Sequence, residues 1–158
     1  MIFFLIISFL IIIFDQVTKV LITKSLDLFE SVNIIKGIFS FTYVQNRGAA
    51  FGILQGARVF FVIITIALLV FVLIYLIRKK PHSYLEKTAL SFIVGGALGN
   101  FIDRVFLGYV RDFISADFIN FPVFNVADCF VCIGAALYII FVLCEEKQNG
   151  NNKTDSAV

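Results

Sequence analysis

Four mostly apolar stretches, at residues 1–22, 59–77, 88–107 and 125–144, leave this chain few folds to choose from. A bilayer core about 30 Å thick is crossed by roughly 20 apolar residues in an α-helix. Four such runs within 158 residues predict a mainly α membrane protein, a four-transmembrane-helix bundle forming one integral domain over 1–158. Composition agrees, with 60% hydrophobic and only 15% charged residues, against roughly 25% charged in soluble domains. The first run lacks a basic leader and a small-residue cleavage site, and Asp15-Gln16 follows it directly, so it is read as a retained span.

Charge narrows the partners and the orientation. The net charge of +2 comes from scattered Lys and Arg with no basic stripe, which excludes nucleic acid as a natural partner. Between the second and third runs, Arg78, Lys79, Lys80 and Lys87 face Glu86 alone. The positive-inside bias then predicts a cytoplasmic loop there and both termini in the cytoplasm. A polar tail over about 147–158 is expected to be disordered. Cys129, Cys132 and Cys144 all fall in the last run, which argues for packing residues rather than a disulfide framework.

The polar residues inside these runs converge on one level. With both termini inside, Asp15 and Lys19 of the first run, Asn100, Asp103 and Arg104 of the third, and Asn125 and Asp128 of the fourth all fall near the outer face. Ionisable groups in a membrane cost about 2.5–3.5 kcal/mol each on insertion scales and usually face a functional interior. Asp15 and Lys19, four apart on one helix face, fit an ion pair that locks helices together. Asp128 has no such partner, because its helical neighbours are Phe124, Asn125, Val131 and Cys132. The second run offers only Thr65 and a boundary Arg58, as a lipid-facing wall would.

Within GGALGNFIDR, Gly95 and Gly99 form a GxxxG pair suited to close helix packing. Asp112 and Asp128 stand sixteen residues apart, across a segment rich in Phe that can return the chain on itself. Two carboxyls brought together in a dry site share a proton, so one serves as general base and the other as general acid. Such a pair activates water against an amide carbonyl with no side-chain nucleophile. The only histidine, His82, lies in the opposite loop, so no Ser-His or Cys-His arrangement is available at the outer level and neither metal nor cofactor is expected. Spacing by itself does not choose between Asp103 and Asp112.

Between the first two runs, KGIFSFTYVQN alternates apolar and polar residues and predicts a strand over 36–46, within an extracytoplasmic β region of about 30–57. NRGAAFG, 46–52, supplies small residues for a tight turn that approaches a peptide backbone. FISADFINFPVF, 113–124, reads as a short interfacial aromatic segment.

Five blocks in order, FDQVTK, NRGAAFG, GGALGNFIDR, GYVRDF and FNVAD, together resemble the lipoprotein signal peptidases, or signal peptidase II, over nearly the whole chain. That resemblance implies a bacterial inner-membrane aspartic endopeptidase with a small extracytoplasmic β-cradle beside its four spans. Its substrates are diacylglyceryl-modified prolipoproteins within membrane lipids, cleaved on the amino side of the lipidated cysteine, and globomycin is the expected inhibitor. By position in the blocks it implies a catalytic pair at Asp112 and Asp128, and substrate-backbone contacts at Asn46 and Arg104. Polar support falls to Asn100, Asp103, Asn125, Asp15 and Lys19. Arg47 departs from the pattern by placing a cation inside the NRGAAFG block. Two rival readings remain: a quinone-linked thiol oxidoreductase built on the Cys129-x-x-Cys132 pair, and a non-enzymatic proton or ion pathway along the intramembrane carboxylates.

Overall fold

The structure, a computed structural model, describes residues 1–49, 53–81 and 83–155, with side chains described up to Lys147. His82 and the 50–52 part of the NRGAAFG turn therefore lie outside the described residues. Four helices are long and apolar enough to cross a membrane: α1 (Ile2–Ser25), α2 (Arg58–Lys79), α3 (Tyr84–Phe106) and α4 (Val126–Asp155). Helices α1, α2 and α3 overrun the apolar stretches by up to about a turn, since hydropathy stops at the first charge while backbone hydrogen bonding does not. Helix α4 continues to Asp155, through most of the tail for which the sequence predicts disorder.

Helix α3 is the centre of the bundle. Half of its most apolar window is buried, against 22% for α1 and 11% for α2 and α4, and it is also the least apolar of the four. A helix enclosed by protein can carry glycine and polar groups that lipid would not tolerate. A methyl group on Gly99 would stand 2.5 Å from Asp15 Oδ2, and one on Gly96 would stand 2.4 Å from the Ala127 carbonyl. Lack of side chains at these two positions is what admits α1 on one side and α4 on the other. Ser8 of α1 adds a hydrogen bond to the Ser91 carbonyl of α3 at 3.2 Å.

The apolar core is small, with Phe4, Val72, Leu76, Leu90 and Val94 packed at the end near the α2–α3 turn. Most large apolar side chains instead face outward, among them Phe9, Leu10, Val59, Phe71 and Leu143. Such continuous apolar exposure is the surface of a protein solvated by lipid. At the opposite end of α2, Arg58 reaches across to the last turn of α3, donating to the Val105 carbonyl at 2.6 Å.

Strands β1 (Ser31–Ile35), β2 (Phe39–Asn46) and β3 (Val110–Ala116) form one antiparallel sheet in that order. The expected strand is β2. Strand β1 falls within the expected β region of 30–57, although it is exposed throughout and shows no alternation; β3, buried at four successive positions, was not anticipated. Irregularities between Phe41 and Val44 leave Val44 opposite Asp112 and Asn46 opposite Val110. The aromatic segment after β3 turns outward at Phe118 and Ile119, then returns so that Phe124 bridges Ile114.

Candidate active site

The site is built from the first turn of α4. Asn125 Oδ1 accepts the Asp128 N–H at 3.1 Å, and an Asp128 carboxylate oxygen accepts the Asn125 N–H at 3.1 Å. This reciprocal arrangement is a capping box; it satisfies two amide groups that the helix start leaves free and fixes the Asp128 rotamer. Asn100, from the central helix, donates to the other Asp128 oxygen at 2.7 Å.

Asp112 arrives from the sheet. Because β2 and β3 pair with Val44 opposite Asp112, Asn46 is its diagonal neighbour, and Asn46 Nδ2 donates to Asp112 Oδ2 at 2.9 Å. The other Asp112 oxygen accepts Asn125 Nδ2 at 2.6 Å, and the same amide group reaches Asn100 Oδ1 at 3.1 Å. Asn125 and Asn100 thus tie the two aspartates into one hydrogen-bonded frame. Asp112 is only 2% exposed. Burial, with the neighbouring charge of Asp128 adding to it, pushes the Asp112 carboxyl up to about 7 against the pull of its two amide donors.

Both aspartates line a cavity of about 530 Å³ together with Asn46, Asn100 and Arg104. Its opposite wall is apolar, with Val123, Phe124 and Ile133 among the lining side chains. The Arg104 guanidinium lies over the Phe61 ring at 4.7 Å and reaches the Gly48 carbonyl at 3.4 Å. Asn46 is more committed, since its Oδ1 accepts the Gly48 N–H at 2.9 Å while its amide holds Asp112. Cys129 and Cys132 also border the cavity as free thiols, and Cys144 is exposed elsewhere on α4.

Asp103, which spacing could not separate from Asp112, has a different environment. Arg111 grips both its oxygens, with NH2 at 2.6 Å from one and Nε at 3.1 Å from the other, while the Arg111 backbone N–H adds a bond at 3.0 Å. Lys19 stands 3.5 Å away. The network continues through Lys19, which pairs with Asp15 at 2.9 Å and donates to Asn100 Oδ1 at 2.9 Å. Asp15 in turn accepts the Ala127 N–H at 3.0 Å, so α1 supplies a cap to α4. Asp15 and Lys19 are fully buried, and every buried side-chain nitrogen and oxygen among the described residues has a hydrogen-bond partner.

Sequence reasoning missed Gln16 and Arg111. Gln16 donates to Asp103 at 3.2 Å and to the Gly99 carbonyl at 3.0 Å, and accepts from Arg111 at 2.8 Å. Burial works against the Arg111 charge, but Asp103 outweighs it and holds the guanidinium proton more tightly than usual. The available signal was position: Gln16 follows Asp15 in its span, and Arg111 precedes Asp112. Among the described residues no group of three or more His, Cys, Asp and Glu side chains is arranged to hold a metal ion.

Comparison with known proteins follows the same residues. The family model of signal peptidase (SPase) II matches residues 7–144. The lipoprotein signal peptidase of Halothermothrix orenii is 46% identical over 142 residues, 90% of this chain and 96% of that protein. That of Enterococcus faecalis is 40% identical over 154 residues, 96% of each chain. A bacterial membrane enzyme solved by the in meso method superposes with a TM-score of 0.85 at 39% identity, covering 92% of this chain and 90% of the other. Matched from the first span to the end of the fourth, this polytopic membrane protein belongs to the signal peptidase II family.

Proposed function

We propose that this chain is the aspartic endopeptidase that removes signal peptides from diacylglyceryl-modified prolipoproteins, cutting on the amino side of the lipidated cysteine. Family membership supports the peptidase reaction on lipoprotein precursors. The observation that carries the aspartic mechanism is that Asp112 and Asp128, one from a strand and one from a helix, line one cavity and share the Asn125–Asn100 frame.

In this reading the pair holds one proton between its two carboxyls near neutral pH. The ionised member takes a proton from water as the water attacks the scissile carbonyl, and the protonated member donates to that carbonyl's oxygen. The same groups then return a proton to the leaving amine. Arg104 holds substrate backbone with its guanidinium, and Asn46 contributes the amide hydrogen that Asp112 does not use. Asn100 and Asn125 keep the carboxyls oriented; Asp103, Asp15 and Lys19 anchor the helices beneath them. The apolar wall beside the carboxyls suits lipid chains and an apolar signal segment. Positive-inside bias puts the α2–α3 turn in the cytoplasm and the dyad, at the other end of α3, near the outer face.

Purified protein in detergent should cleave a diacylglyceryl-modified precursor peptide, leave the unlipidated peptide intact and be inhibited by globomycin. Equal turnover of both peptides, or activity indifferent to globomycin, would contradict the assignment. Cys129→Ser/Cys132→Ser should keep its activity, as a thiol oxidoreductase would not.

A further inference from the structure

Two cavities meet at Asp112. The larger one holds the dyad and borders α4, where Cys132 and Ile133 are exposed on the lipid-facing surface. The smaller, of about 180 Å³, shares a wall with it at Asn46, Asp112 and Val123 and continues against Val44, Gln45 and Gln55. None of the residues lining it belongs to a helix; strands β2 and β3 and the segments leading into α2 and α4 enclose it.

Gln55 is brought to this cavity by a strained turn. It stands between two left-handed residues, Leu54 with φ 56° and Gly56 with φ 80°. A leucine persists in that conformation only where surrounding contacts hold it there. The Ala49 N–H donates to the Ile53 carbonyl at 2.8 Å, and the Gly56 N–H donates to the Arg47 carbonyl at 3.0 Å. Gly48 is the pivot, because a methyl group on it would stand 2.6 Å from the Ile53 carbonyl oxygen and 3.2 Å from Gln55 Nε2. The Gln55 amide is thereby set beside the residue whose N–H is held by Asn46 and whose carbonyl is reached by Arg104.

The amides on this wall differ in what they have left to give. Gln45 Nε2 donates to the Tyr43 hydroxyl at 3.1 Å, and Asn46 is engaged at both ends by Asp112 and Gly48. The exposed Gln55 side chain makes no hydrogen bond among the described residues. A primary amide offers a donor and an acceptor side by side, the complement of the peptide groups of an extended chain.

We propose that Gln55 is a substrate-binding residue that holds the peptide backbone just past the lipidated cysteine, on the mature side of the cut. This inference rests on the proposed peptidase reading. With the scissile carbonyl between Asp112 and Asp128, the acyl chains and the apolar signal segment lie in the larger cavity, beside lipid. The chain continuing past Asp112 then runs through the smaller cavity, where its backbone meets the Gln55 amide.

The test compares two diacylglyceryl-modified precursor peptides with the full chain in detergent, one unmodified beyond the cysteine and one N-methylated at the first two peptide bonds that follow it. Cleavage of the unmodified peptide by the wild type checks the peptidase reading separately, since it does not depend on Gln55. Gln55→Ala should keep the wild-type Tm and raise KM for the unmodified peptide by about 5- to 10-fold, as for one lost hydrogen bond. Its kcat should stay within about twofold, because the contact is the same in ground and transition states. N-methylation should raise the wild-type KM by a similar factor and leave that of Gln55→Ala unchanged. Equal KM for wild type and Gln55→Ala on the unmodified peptide would overturn the proposal. A further rise in KM when Gln55→Ala meets the N-methylated peptide, as large as the rise in the wild type, would do so as well.

Discussion

Asn125 donates its side-chain amide to Asp112 at 2.6 Å while its backbone and side-chain oxygen complete a capping box with Asp128. One residue therefore sets both the start of α4 and the spacing of the two carboxyls. Asn125→Ala should lose the cap, costing about 1 kcal/mol of stability. It should also slow turnover by roughly 100-fold through misplaced groups. Asn125→Ser, which can still cap, should recover most of the Tm but little of the rate, as measured by thermal unfolding and precursor cleavage.

Asp112 gives a pH dependence of definite sign. Its carboxyl is pushed up to about 7 by burial and by Asp128, far above its value in an unfolded chain. The folded state therefore binds the extra proton, and this contribution to stability is present below the unfolded pKa and is lost as pH rises through about 7. The Tm should fall between pH 5 and pH 8 in the wild type and fall less in Asp112→Asn. The rate should decline above neutrality, where the pair loses its shared proton.

Arg111 tests the network under the dyad. Arg111→Ala removes the fork that holds both Asp103 oxygens in a site where Asp103 is 1% exposed. Breaking a buried pair by deleting one partner costs about 3–5 kcal/mol. The Tm in detergent should drop by roughly 6–20 °C. Arg111→Lys keeps the charge without the planar fork and should recover only part of the loss.

The close approach at Gly96 is equally specific. A methyl there would meet the Ala127 carbonyl at 2.4 Å, a backbone atom of the first turn of α4. Gly96→Ala should destabilise the bundle by about 1–3 kcal/mol and reduce turnover, because the displaced turn carries Asp128.

These relationships divide according to what a linear pattern can encode. The spans and the convergence of charges at one level are local or periodic, so hydropathy and spacing reveal them. Strand β3 is not periodic: Val110, Arg111, Asp112 and Phe113 are all buried, because the helices and the sheet enclose both of its faces. Five exposed residues of an edge strand give β1 no apolar face to read. Gln16 carries no charge and leaves no trace in a charge pattern, yet it bridges Asp103 and Arg111. Spacing does not separate Asp103 from Asp112; that Arg111 occupies Asp103 and leaves Asp112 to Asn46 and Asn125 is a tertiary fact that spacing does not encode.

The most direct test is single-turnover cleavage of a diacylglyceryl-modified precursor by Asp112→Asn and Asp128→Asn, each first checked for a wild-type-like helical spectrum and Tm. Each variant should retain its fold and lose at least about 1,000-fold in rate, as expected when an acid–base group is removed. Near-normal turnover by either folded variant would show that the two carboxyls do not act as a pair.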